Sequence, residues 1–244
     1  MRGFVRGPGN ATMDGMTFAP LLEELYLAKK GRRSGQLRVR AFGKESQVRL
    51  RLGDVVGVDM AFGYQSLPQS LVQHERLPLA ELDVLWKEGT LLSAKGKWLE
   101  ARGVSPRDAD FAFMLANLRQ LSRLSGHVFF EEGQREDAPG RVDGGFLLAA
   151  LLSELPLEVG ARRFRCSDTE SARLWGRTVE DAAFLDSLDR FRSFESVTPS
   201  QRGLLHVLFR EGLLIEEREA EDMIVELEIS DVVNLELTDI VEVK

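Results

Sequence analysis

Three histidines and one cysteine are the side chains best suited to metal binding or nucleophilic attack, and their spacing supports neither chemistry. His74, His127 and His206 lie far apart, with no His-x-x-x-His, Cys-x-x-Cys or clustered-acid loop to complete a ligand set. His127, at an expected strand start, and His206, on an expected helix, read as partly exposed structural imidazoles. Cys166 has no motif around it, so an inert buried thiol is expected. The phosphate-cradling patterns Gly-x-x-x-x-Gly-Lys-Ser/Thr and Gly-x-Gly-x-x-Gly are missing, as is the Gly-x-Ser-x-Gly nucleophile turn. The acid pairs Glu131-Glu132 and Glu216-Glu217 read as solvated charges at turns or helix ends. No catalytic residue, cofactor-binding residue, cofactor or metal ligand is therefore expected.

The chemistry that the spacing favours is recognition by guanidinium groups. Arg38 and Arg40 alternate with Leu37, Val39 and Ala41, and Arg49 and Arg51 alternate with Val48, Leu50 and Leu52. A period of two places all four arginines on one face of neighbouring strands, where bidentate contact with carboxylates is natural. Residues 29–51 hold nine Lys or Arg against Glu45 alone, a local charge of +8 in a chain of net charge -7. Residues 211–244 carry -10 and contain a repeat, Leu-Glu-Ile-Ser-Asp-Val-Val at 227–233 and Leu-Glu-Leu-Thr-Asp-Ile-Val at 235–241. Each copy suits addition as a strand to an exposed sheet edge. The candidate partner-binding residues are thus Arg38, Arg40, Arg49 and Arg51, with Leu227, Ile229, Asp231, Leu235, Leu237 and Asp239 in the tail. The bland alternative for the arginines is a wet sheet face, where an exposed ion pair contributes roughly 0 to 1 kcal/mol. The sharper one is a docking surface for an acidic partner, with the tail itself folded over the arginines in cis or supplied in trans.

These residues need a sheet to hold them. The alternation runs over 36–41, stops at Gly43-Lys44-Glu45, resumes over 47–52 and, after a turn at Gly53-Asp54, leads into Val55-Val56-Gly57-Val58. One face of three antiparallel strands is apolar, so helices must cover it. Leu21, Leu22, Leu25 and Ala28, between Pro20 and Gly31, describe the first covering helix. Short helices are expected from Leu67 to about Glu75 and from Leu77-Pro78 to Lys87, with a further helical turn near 95–101. Ser105-Pro106-Arg107-Asp108 starts a long helix to about Leu124, whose buried stripe is Phe111, Leu115, Leu118 and Leu121. A strand over 127–131 and a nearly all-apolar helix over 145–155 follow.

Beyond these, Arg-Arg-Phe-Arg-Cys reads as a short strand, Glu180–Phe191 and Pro199–Glu211 as helices, and Leu213-Leu214-Ile215 as a strand. The expected fold class is α+β: an antiparallel sheet packed against helices, then a small helical, winged-helix-like unit and an acidic tail. The corresponding divisions are a flexible arm at 1–15, a domain at 16–155 with a helical insertion at 66–124, a C-terminal unit at 156–221 and the tail at 222–244. With 244 residues, 43% hydrophobic and 29% charged, the chain is long enough for one large or two small domains. One cysteine excludes an internal disulfide framework, and no apolar run approaches the roughly 20 residues of a membrane span. A cytoplasmic protein is expected, since the start Met-Arg-Gly-Phe-Val-Arg-Gly-Pro-Gly lacks the apolar run of a secretory signal.

The leading amphipathic helix, the segment Ser34-Gly35-Gln36-Leu37-Arg38-Val39 and the segment Val48-Arg49-Leu50-Arg51-Leu52-Gly53-Asp54-Val55-Val56 together resemble the PATAN domain. Ser125–Gly133 resembles that family's strand after a helical insertion, and 145–152 its closing helix, so the likeness covers about 17–155. Leu52-Gly53-Asp54 departs from the family's acidic-Gly order at the turn. The resemblance implies a non-enzymatic bacterial signalling adaptor that works by protein–protein interaction in control of motility or cell polarity. Its implied partner is a response-regulator receiver domain, or a small Ras-like GTPase with its regulator. The alternative is a nucleic-acid-binding regulator using Lys29–Arg51 or the C-terminal unit, against which the overall acidity and the lack of a basic helix at 199–211 both count.

Overall fold

The computed structural model describes residues 18–88, 99–124, 126–133, 141–155, 163–176 and 178–217. The arm at 1–15 and the tail repeat, with Leu227, Ile229, Asp231, Leu235, Leu237 and Asp239, lie outside the described residues, as does most of the turn expected near 95–101.

The period-two stretches form a meander of β1 (Gly35–Ala41), β2 (Lys44–Arg51) and β3 (Asp54–Asp59). A fourth strand, β4 (His127–Glu132), returns antiparallel to β1, giving the order β3-β2-β1-β4. Both tight turns lie one residue earlier than the sequence suggests. Phe42-Gly43 and Leu52-Gly53 occupy them with positive φ at both positions (51° and 73°, 52° and 79°), the signature of type I′ turns. Lys44 and Asp54 therefore begin strands. A bulge lets β3 depart from alternation: Arg49 pairs with Gly57 but Leu50 with Val55, so Val56 is the extra residue.

Leu37, Val39, Val48, Leu50, Val55 and Val58 line the buried side of the sheet. Each fully buried aliphatic side chain of this kind stabilises the fold by roughly 1.5–3 kcal/mol. Three helices supply the covering layer: α1 (Pro20–Lys30), then, after the short α2 (Leu67–Gln73) and α3 (Ala80–Glu88), α4 (Pro106–Ser122) and α5 (Gly144–Leu152). Ser105 accepts the Asp108 N–H at the start of α4, and Asp143 accepts the Phe146 N–H at the start of α5. Leu115, Leu118 and Leu121 are buried as the stripe requires, while Phe111 stays half-buried, stacked on Phe146 at 4.5 Å. Leu71, Leu77, Leu99, Val104, Ala109 and Ala112 form a second, smaller core under α2.

The C-terminal segment builds a three-stranded sheet in the order β6-β5-β7 from β5 (Arg163–Cys166), β6 (Arg192–Ser193) and β7 (Leu214–Glu216). Its helices are α6 (Thr169–Ala172), α7 (Val179–Ser187) and α8 (Pro199–Arg210). The helix expected over 180–191 ends at Ser187, because Arg192 and Ser193 are drawn into pairing with β5. Helices α5 and α8 cross so closely that a Cβ on Gly203 would lie 1.7 Å from the Ala149 carbonyl oxygen. One hydrophobic cluster accordingly runs from Phe18 to Leu208 through both segments.

Candidate interaction surface

The cross-strand register places Arg38, Arg40, Arg49 and Arg51 on the side of the sheet opposite the core, and all four are at least partly exposed. The arginines are not a bare patch. Glu45, opposite Arg40, accepts from Arg38 Nη1 and from Arg40 Nε, both at 2.7 Å. Glu131 on β4 meets the second nitrogen of Arg38. Asp59 on β3 lies 3.3 Å from Arg49, whose guanidinium lies flat over Gly57. The Arg40 and Arg38 hydrogen bonds hold the Glu45 carboxyl below its ordinary pKa, and Glu45 and Glu131 raise that of Arg38.

The sequence count over 29–51 missed these acids because Asp59 and Glu131 lie outside that window and reach the face only through strand pairing. Three further cations of the window are engaged elsewhere. Lys30 binds Glu211, and Arg33 sits near Glu24 and over the Phe130 ring at 3.7 Å. Lys29 bridges Asp54 and Asp143 at 2.8 Å each, tying α1 to β3 and to the start of α5. Burial alone would raise the Asp54 pKa, but Lys29, the Gly144 N–H and Arg141 outweigh it and hold the carboxylate below its usual range. Every charge in this cluster is matched, which is the arrangement of a clasp.

The other titratable candidates are structural. His206 is 1% exposed, not partly exposed as its helical position suggested, with Nε2 3.4 Å from the Leu155 carbonyl oxygen. It is buried because α8 turns that face onto α5. Burial lowers the His206 pKa and, with Arg119 and Arg76 nearby, that of His74. Burial pushes the Cys166 thiol up, away from the reactive thiolate. His127 is exposed at the start of β4, with Phe129 two residues on along the same face. Among the described residues, no group of three His, Cys, Asp or Glu could hold a metal, and no helix is long and apolar enough to cross a membrane. Set against protein-family models, curated proteins and solved structures, the chain matches none.

Proposed function

We propose that the chain is a PATAN-like, non-enzymatic adaptor of bacterial signalling that acts in the cytoplasm by binding another protein. The proposed partner is a receiver domain, or a small Ras-like GTPase with its regulator, in control of motility or polarity. One observation carries the reading: the outer face of the four-stranded sheet, with Arg38, Arg40, Arg49, Glu45, Asp59, Glu131 and Phe129, has no buried side chain among these seven. A mixed-charge face with an aromatic, fixed on a rigid sheet, suits recognition of a protein surface. The order of helix, meander, helical insertion, returning strand and closing helix also supports the PATAN-like reading.

The nucleic-acid alternative has less support. Helix α8, the helix of the C-terminal unit that a groove reader would present, buries Gly203 to Leu208 in six consecutive positions. On its other proposed surface, Lys29–Arg51, six of the nine cations are paired with carboxylates. Calorimetric titration of the full chain against purified receiver domains and nucleotide-loaded Ras-like GTPases tests the proposal. Saturable binding weakened by Arg40→Glu supports it. Turnover of a metabolite, or binding to DNA with no protein bound, overturns it.

A further inference from the structure

An open groove of about 1110 Å³ lies at the β1–β2 end of the sheet. Its walls are the Phe42-Gly43 turn, Ala19 and Pro20 at the start of α1, Ser122 to Leu124 at the end of α4, and His127 at the start of β4. The lining carries Arg40, Lys44 and Arg123 against Glu45 alone. Glu45 already serves two guanidinium groups, and Arg40 keeps a 61% exposed side chain. Lys44 has no ion pair among the described residues. Arg123 is 3.7 Å from a carboxylate that Arg119 holds more closely. Ala19, the N-cap residue of α1, has no side-chain oxygen, so that helix adds partial positive charge, while Arg123 offsets the opposite end of α4.

Beside this charge stands Phe42, 83% exposed and at φ 51°. A bulky residue in the left-handed region costs roughly 1–2 kcal/mol. Packing does not repay that here. The ring meets Phe62 edge-on at 6.1 Å, and a Cβ added to Gly43 would meet nothing within 4 Å. An unfavourable conformation that keeps an aromatic ring in solvent, in a lining with three cations and one acid, points to an outside ligand.

We infer that this groove binds an acidic segment of a partner protein, its carboxylates on Arg40, Lys44 and Arg123 and an apolar side chain against Phe42. The inference rests on the adaptor reading and gives it a site. Two labelled peptides test it on the full chain by fluorescence anisotropy, one alternating Glu with Leu and its twin carrying Gln for Glu. The Glu peptide binds at low salt, and the Gln twin binds about tenfold or more weakly. Phe42→Asn and Lys44→Glu each weaken the Glu peptide about tenfold, and Phe42→Asn raises the melting temperature, so lost binding is not lost folding. Equal affinity of the two peptides, or of the wild type and Phe42→Asn, overturns the site. So does affinity that rises on neutralising Glu226, Glu228, Asp231, Glu236, Asp239 and Glu242, which would make the chain's own tail the occupant. Self-association abolished by Phe42→Asn would make it a second copy and overturn it too. If a receiver domain or GTPase binds Phe42→Asn unchanged, the groove fails while the adaptor reading stands; if no protein binds, that reading fails.

Discussion

The turns Phe42-Gly43 and Leu52-Gly53 use the same local code, an apolar residue and a glycine both at positive φ, yet they serve different ends. The second is built into the scaffold. Leu52 donates its N–H to Ser34 Oγ at 2.9 Å, and Gly53 donates its N–H to the Arg33 carbonyl oxygen at 2.8 Å. A Cβ on Gly53 would sit 2.6 Å from Lys29 Cα, and one on Gly144 would sit 1.9 Å from the Gly53 carbonyl oxygen. Helices α1 and α5 thus close on that turn and offset its strain. The first turn has open space around its glycine and an exposed ring beside a groove. Packing balances the strain of the second turn and leaves that of the first in solvent, which is why the proposed site is placed at Phe42.

Substitutions break this contrast in order of size. Gly53→Ala is expected to cost about 3 kcal/mol or more, from left-handed strain plus a backbone clash, whereas Gly43→Ala costs about 1–2 kcal/mol from strain alone. Equal costs in urea denaturation would erase the distinction. Next comes the clasp beside the second turn: Asp54→Asn is expected to lose about 2 kcal/mol at neutral pH, the worth of hydrogen bonds to a charged group. Because the folded Asp54 pKa is lowered, that contribution is present above the ordinary value of 3.8 and fades as pH falls through the folded pKa. The gap between wild type and variant should therefore narrow as pH falls below 3.8.

His206 gives a smaller effect in a milder window. Its folded pKa lies below the ordinary 6.5, so wild-type stability falls as pH drops through 6.5 towards the folded value. His206→Leu should flatten that decline in melting curves, and an unchanged slope would assign it to other groups. Smallest, and opposite in sign, is Phe42→Asn: asparagine tolerates the left-handed region, so a gain of roughly 1 kcal/mol is expected. A loss of stability would mean that the Phe42 ring is held by the scaffold after all.

The meander was legible because Leu37, Val39, Val48 and Leu50 alternate with arginines, and α4 because Ser105-Pro106 announces its start. The turn positions were misread by one residue, since Phe42 and Leu52 are not the residues that type I′ turns favour. The site was half legible. Alternation placed the four arginines together, but Asp59 and Glu131 reach them through register, which a linear charge count does not contain. Nor did local pattern reveal that β4 borders β1, that His206 faces α5, or that Phe42 would stay exposed, because each depends on contacts between segments distant in sequence.

The most direct test of the central claim places a photoreactive phenylalanine analogue at position 42 and, as a control, at the 87% exposed Val179. Irradiation in the native cell should yield a protein adduct at 42 that is lost with Lys44→Glu and absent at 179. The same adducts at both positions, or none at 42, would contradict the account.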